Sequence, residues 1–350
     1  MRSEKVMAGM SGGVDSSVCA SLLIDGGYSV AGVTLDLWGK DSTASPEAEE
    51  AAKVCERLGI PHYVFEMRED FAGAVIDDFI NEYINGATPN PCIVCNRKIK
   101  FGKMLEYAEN AGYSKIATGH YAVVKKDGNG RYLLSKAADR AKDQTYVLYS
   151  LTQEQLSSVV FPLGGLTKAQ VREIAESKGF SNAHKPDSQD ICFVPDGDYA
   201  AFIEKYTGKI SAPGEFTDIN GCPIGKHNGL IRYTVGQRKG LGISLGKPAY
   251  VVAKDTASNR VVLGDEEQLF YRRVLVRNVN LIPFDRLEGD MRVTAKLRYR
   301  HNEQPARIIP DEKGVIVEFD EPQRAPSPGQ SAVFYDGDTV VGGGIIVKGI

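Results

Sequence analysis

Through the first ~205 residues, short apolar runs alternate with segments of helical period. Residues 5–10, 29–35, 62–65 and 115–118 each read as a buried strand, since a short continuous apolar run suits a strand covered on both faces. Between them, Pro46–Leu58 carries the marks of a helix. Ser45 can cap it, Pro46 takes the first helical position, and Ala48, Ala51, Ala52 and Cys55 fall on one face. Gly59 can then close it in the left-handed conformation. Another helix is predicted over residues 168–178, opened by a capping box of Thr167 and Gln170 and closed at Gly179. Strands alternating with helices predict an α/β fold with a doubly wound parallel sheet over residues 1–205.

The pattern changes after Tyr206. Residues 206–270 are rich in Gly, are broken by Pro213, Pro223 and Pro248, and show no long helical period, which predicts a small, mostly β central domain. From Tyr271 onward strand follows strand, with turn signals such as Asp336-Gly337, so residues 271–350 are expected to form a β-barrel-like end domain.

Composition narrows the class. No run reaches the ~18 consecutive apolar residues that span a bilayer, and the start, MRSEKVMAG, lacks the apolar core of a signal peptide. Six cysteines in 350 residues are too few for a disulfide scaffold, so a cytoplasmic protein with reduced thiols is expected. A formal charge of −3 argues against a uniformly basic surface but leaves room for local cationic contacts to a nucleic acid.

The strongest motif is the stretch Gly9, Met10, Ser11, Gly12, Gly13, Val14, Asp15, Ser16 and Ser17, between a predicted strand and a helix whose apolar face is Val18, Cys19, Leu22 and Leu23. Glycines let backbone N–H groups close around phosphate oxygens, serines add donors, and the helix N-terminus adds positive potential. No Lys follows the glycines, so this is not the loop that grips β- and γ-phosphates for γ-transfer. It matches the SGGxDS loop of the ATP pyrophosphatases, which hold pyrophosphate as leaving group while AMP is transferred; Asp15 would hold Mg²⁺ or orient the loop.

Cys92 and Cys95 lie in the run PNPCIVCN. Its prolines argue for a loop, and the cations that follow (Arg97, Lys98, Lys100) are expected to lower a thiol pKa. Cys192 ends the polar stretch DSQDIC. Three readings stand. A zinc site would need Cys222 or a His to complete four ligands. A redox dithiol lacks its usual fold context. Paired thiols for sulfur transfer fit best beside an ATP-activating loop. Cys19 and Cys55, on helical faces, are expected in the core, and Cys222 in a turn. Near the C-terminus, Arg292, Thr294, Lys296, Arg298 and Arg300 share one face at strand period, with Val293, Ala295, Leu297 and Tyr299 on the other, which offers a cationic face to phosphates.

The blocks GMSGGVDSS, TPNPCIVCNRKIKF, ATGHYA, KDQTYVLY, KPDSQDICF, RYTVGQRKGL, KLRYRH and PGQSAVFYDG occur in this order from residue 9 to 337. As an ordered set along nearly the whole chain, they resemble the bacterial tRNA 2-thiouridylases of the PP-loop superfamily. The resemblance implies ATP- and Mg²⁺-dependent thiolation of the wobble uridine in tRNAs for Lys, Glu and Gln, with sulfur from a cysteine desulfurase or a relay protein. It implies ATP contacts from Gly9 through Ser16, Leu35 and Gly119, a catalytic thiol at Cys95 and a persulfide carrier at Cys192. Asn90, Pro91 and Cys92 match the target-base loop. His120, Lys142, Asp143, Gln144, Arg298, Tyr299 and Gln330 match tRNA-contacting positions, although His120 reads equally well as a hydrogen-bonded structural residue. Many members of the family carry Asp where this chain has Cys92. A third thiol raises a further expectation, a 4Fe–4S cluster on Cys92, Cys95 and Cys192, against a tolerated replacement. The competing function is another PP-loop adenylating ligase acting on a small molecule, which would have no need of these three thiols.

Overall fold

The computed structural model describes residues 4–38, 46–185 and 191–350. Two compact units divide the chain. One comprises Met1–Val75, Cys92–Gln189 and Asp338–Val341; the other comprises Ile76–Pro91, Asp190–Gly337 and Gly342–Ile350.

The first unit is built on a five-stranded sheet. Its strands, in spatial order, are His62–Glu66, Ser29–Asp36, Lys5–Gly9, Lys115–Ala117 and Val159–Val160, all parallel. The four strands expected from apolar runs are all present, within a residue or so of their predicted ends. Lys5–Gly9 is central because its middle residues, Val6, Met7 and Ala8, are apolar on both faces and fully buried. From it the chain moves first to one side of the sheet and then to the other. This makes a topological switch point beside the end of the first strand, the place where open α/β sheets bind ligands.

Helix Pro46–Leu58 forms as expected, burying Ala48, Ala51, Val54 and Cys55, and Gly59 closes it at φ +68°. The capping residue expected for it, Ser45, lies outside the described residues. Helix Lys168–Ser177 opens with the Thr167–Gln170 capping box, in which each side chain satisfies the other residue's backbone N–H. Gly179 follows it at φ +66°.

In the second unit, strands Tyr250–Asp255, Arg260–Gly264, Gly214–Thr217 and Pro223–His227 form a small sheet over Phe216, Leu230, Tyr233, Val251 and Leu263. The C-terminal region is a closed six-stranded barrel, in which Phe270–Leu281 pairs with both Gly314–Arg324 and Thr339–Gly349. The Asp336-Gly337 turn falls between its last two strands, as expected, with Gly337 at φ +56°.

Gly32 shows how tightly the first sheet meets its helices. A Cβ there would stand 2.4 Å from Cys55 Sγ and 3.0 Å from the Met10 side chain. Gly32→Ala should therefore destabilise the protein by about 1–3 kcal/mol through overpacking, and adding Cys55→Ala should restore most of the loss. Denaturant unfolding of the two variants checks this; an unchanged midpoint for the single variant would contradict it.

Candidate active site

The phosphate loop leaves the central strand at Gly9 and enters helix Val14–Asp25 at Gly13. Its shape is set from several sides. Met10 donates its N–H to Val33 O at 2.7 Å and accepts the Thr34 hydroxyl at 3.0 Å. Gly12 takes φ +67°, and a Cβ there would press 2.8 Å from Glu47 O, so both conformation and space require glycine. Ser16 Oγ donates to Gly13 O at 2.9 Å and accepts from Ser11 N at 3.2 Å, closing the loop on itself. Helix Val14–Asp25 receives no side-chain cap from Gly13. Its first backbone N–H groups are therefore not claimed by a capping side chain, the condition for anion binding at a helix N-terminus.

Gly119 belongs to the same place. It follows strand Lys115–Ala117, and a Cβ on it would lie 2.8 Å from Asp15 C and 2.9 Å from Ser16 N. The switch-point strands thus bring Gly119 against the loop, as the expected shared ATP site requires. Leu35 is half-buried, one residue before the end of strand Ser29–Asp36.

Asp15 sits in the helix's first turn. Lys168 Nζ donates to both its carboxylate oxygens at 2.8 Å, and the Tyr121 hydroxyl donates to Oδ1 at 2.8 Å. These contacts fix the orientation of the Asp15 carboxylate. Asn182 adds a further clamp, donating to Gly12 O at 3.2 Å and to Ser17 Oγ at 2.9 Å. The sequence alone does not point to Tyr121, Lys168 or Asn182 as site residues. Tyr121 stands inside the ATGHYA block, and Lys168 opens a capped helix, but nothing local ties either one to Asp15.

The thiols depart from expectation. Pro91 does not break a helix; it starts one. Helix Pro91–Val94 continues through a π-helical stretch, Cys95–Lys103, into Met104–Asn110. Proline is tolerated at a first helical position because its missing N–H has no intrahelical partner there. Cys92 is exposed and Cys95 is buried in this helix, Asn90 is half-buried, and Cys192 is exposed in a turn. The Pro186–Asp190 part of the KPDSQDICF block lies outside the described residues. The Cys92 thiol is pushed up from its ordinary value, not down: desolvation outweighs the opposing charge of Lys100. Among the described residues, no group of three or more His, Cys, Asp or Glu side chains is placed to hold a metal ion. Cys19 and Cys55 are in the core, and Cys222 lies in a turn where its N–H donates to Asp218 Oδ1 at 2.8 Å.

Several expected tRNA contacts are committed to the protein itself. His120 is 8% exposed, shares a 2.7 Å hydrogen bond with Thr118 Oγ1, and packs between Phe101 and Phe161. Burial, reinforced by Lys100, holds its imidazole well below the usual range. Asp143 accepts from Ala137 N at 3.0 Å and Thr145 Oγ1 at 2.6 Å. Gln144 Oε1 accepts Tyr121 N at 2.9 Å, which steadies the tyrosine that touches Asp15. Lys142 is half-buried beside them. Gln330 Nε2 donates to Thr88 O at 2.6 Å, and Thr88 N donates to Pro328 O at 2.8 Å. Together they tether the chain two residues before Asn90.

The cationic strand is partly as expected. Val293, Ala295 and Leu297 are buried. The strand ends at Lys296, however, so Tyr299 leaves the apolar face and is 38% exposed in the following turn with Arg300. Arg292 pairs with Asp320. One Arg298 amine donates to Ser327 Oγ at 2.7 Å, Ala325 O at 3.1 Å and Val235 O at 3.3 Å. Arg298 is thus a brace between segments of the second unit.

A glycine-entered helix N-terminus at a switch point, with a carboxylate in its first turn that is met by a lysine from helix Lys168–Ser177, defines a nucleotide-binding α/β domain of the PP-loop kind. The sequence profile described as "tRNA methyl transferase HUP domain" matches residues 4–196, that of the "tRNA methyl transferase PRC-barrel domain" residues 200–265, and that of the "aminomethyltransferase beta-barrel domain" residues 272–346. The chain is 51% identical to the tRNA-specific 2-thiouridylase MnmA of Acetivibrio thermocellus, over 99% of its own length and 100% of the relative's. It is 50% identical to the proteins of that name from Caldicellulosiruptor saccharolyticus and Clostridioides difficile, over 99% of each chain. The protein belongs to the tRNA-specific 2-thiouridylase family.

Two outcomes follow from the geometry. The unfolded chain protonates His120 near about pH 6.5, where the folded chain keeps it neutral. Stability from this residue is therefore full above that pH and is lost as pH falls below it. Stability measured between pH 7 and pH 5 should fall less steeply in His120→Asn than in the wild type, and equal slopes would contradict the assignment. Arg298→Ala should cost stability, by about 1.5–3 kcal/mol for lost charged hydrogen bonds. Arg300→Ala should leave stability unchanged and reduce the salt dependence of tRNA binding. Equal thermal midpoints for the two variants would remove the brace role of Arg298.

Proposed function

We propose that this chain is an ATP-dependent tRNA-uridine 2-sulfurtransferase, converting the wobble uridine to 2-thiouridine with release of AMP and pyrophosphate. The uncapped helix N-terminus behind Gly12 and Gly13 carries this reading. Methyl transfer, which the profile descriptions name, has no use for a loop that retains pyrophosphate. A carbonyl oxygen is a poor leaving group, and conversion to an adenylate makes it a good one. ATP enters as its Mg²⁺ complex, the ion neutralising phosphate charge. The backbone N–H groups of the loop hold the departing pyrophosphate.

Sulfur is delivered as a persulfide on Cys192, supplied by a cysteine desulfurase or a relay protein. Its terminal sulfur attacks C2 of the adenylated base and AMP leaves. The Cys95 thiolate then attacks the Cys192 sulfur, releasing the thiolated base and forming a Cys95–Cys192 disulfide that a cellular thiol reduces. Cys92 stands where many relatives carry Asp and takes no nucleophilic part in this route. No step runs through a cluster. The tRNAs are those for Lys, Glu and Gln, bound in part through Tyr299 and Arg300, both exposed after the strand. No helix of the described residues is long and apolar enough to cross a membrane, and the proposed setting is the cytoplasm.

The test is mass analysis of nucleosides from those tRNAs after incubation with ATP and a persulfide source. Wild type and Cys92→Ser should form 2-thiouridine at similar rates, and Cys95→Ser and Cys192→Ser should form none. Loss of activity in Cys92→Ser, together with about four irons per chain after anaerobic reconstitution, would replace the persulfide route with a cluster. ATP turnover driven by a small molecule in the absence of tRNA would favour the ligase reading.

A further inference from the structure

The phosphate loop lacks the lysine that accompanies the glycines in γ-transferring loops. Backbone N–H groups and a helix dipole supply partial charges, whereas a triphosphate carries several full ones. The side chain that fills this gap comes from 153 residues downstream. Lys168 Nζ lies 2.8 Å from each oxygen of Asp15, in the first turn of the helix behind the loop.

Lys168 is held as firmly from its own side. It is the first residue of helix Lys168–Ser177, immediately after the Thr167 cap, and its backbone N–H donates to Asp139 Oδ2 at 3.0 Å. Its side chain is 12% exposed, against 31% for Asp15. Ordering a long lysine to this degree carries a conformational cost that a surface ion pair seldom offsets. Asp15 has a second donor in the Tyr121 hydroxyl at 2.8 Å. The carboxylate therefore keeps a partner if phosphate oxygens draw the ammonium group away. Lys185 also lies near the loop, with Nζ 3.5 Å from Gly12 O, but it faces a neutral carbonyl at the limit of a hydrogen bond.

We propose that Lys168 is the phosphate-binding cation of this loop, held ready at the helix N-terminus by Asp15 and Tyr121. When nucleotide binds, its phosphate oxygens compete with the Asp15 carboxylate for Nζ. Lys168 then adds a full positive charge to the partial charges of the backbone, as a lysine inside the loop does elsewhere. The inference rests on the reading of the loop as an ATP site. Its bland competitor is an ion pair that merely joins helix Val14–Asp25 to helix Lys168–Ser177.

Equilibrium binding of ATP, pyrophosphate and adenosine to the full-length chain separates the two. Lys168→Met should weaken ATP and pyrophosphate by about tenfold or more, a change of about 1.4 kcal/mol or greater, and leave adenosine within about twofold. Lys168→Arg should recover most of the loss, because it keeps the charge. Lys168→Gln, which can still hydrogen-bond Asp15 without a charge, should behave as Lys168→Met and serves if the methionine variant does not fold. A structural ion pair would lower the thermal midpoint and weaken ATP and adenosine alike; that pattern, or unchanged ATP affinity, overturns the inference. If the wild type itself binds adenosine and ATP equally, the ATP-site reading fails and the inference with it.

Discussion

The architecture of the first unit turns on a constraint at one helix end. A helix that begins at glycine has no capping side chain, so its leading N–H groups must find another acceptor. Here that end lies at a switch point of a parallel sheet, where a bound anion can serve as the acceptor. Much of the surrounding structure keeps the loop in this shape before any ligand arrives. Thr34 and Val33 hold Met10, Asn182 holds Gly12 and Ser17, Ser16 closes back on Gly13, and Gly119 fits against Asp15 and Ser16 only because it has no side chain. Such preorganisation stabilises charge at the moment of reaction without a cost of rearrangement.

From this loop the hydrogen bonds lead outward. Asp15 is oriented by Lys168 and Tyr121, Tyr121 N–H is held by Gln144, and Lys168 is anchored at Asp139. Residues that the family resemblance assigns to RNA are thus joined by hydrogen bonds to the phosphate loop. Gln144 is such a case, and Arg298 and Gln330 are parallel cases in the second unit, bracing backbone rather than standing free for a phosphate.

What was legible in the sequence was what short-range physics controls. Apolar runs locate four of the five strands of the sheet, caps and closing glycines locate Pro46–Leu58 and Lys168–Ser177, and the glycine loop declares its chemistry. Two local signals misled. The prolines beside Cys92 argue for a loop, but a first helical position accepts proline, and Pro91 starts the helix that carries Cys92 and Cys95. The cations near Cys92 point to a lowered thiol pKa, but desolvation outweighs them. Other features had no local signal. Nothing near Lys168 in the chain points to Asp15, and strand period could not show that the strand ends at Lys296 and sends Tyr299 and Arg300 into a turn.

The central claim is that ATP activates the uridine carbonyl by adenylation, with pyrophosphate as the group the loop retains. Labelling the wobble uridine with ¹⁸O at its 2-carbonyl tests this directly, by following the label through one turnover with ATP and a sulfur source. The account predicts ¹⁸O in the phosphate of AMP and none in pyrophosphate. Label in inorganic phosphate with ADP as coproduct would mean γ-phosphoryl activation, and it would contradict both the chemistry and the role assigned to the loop.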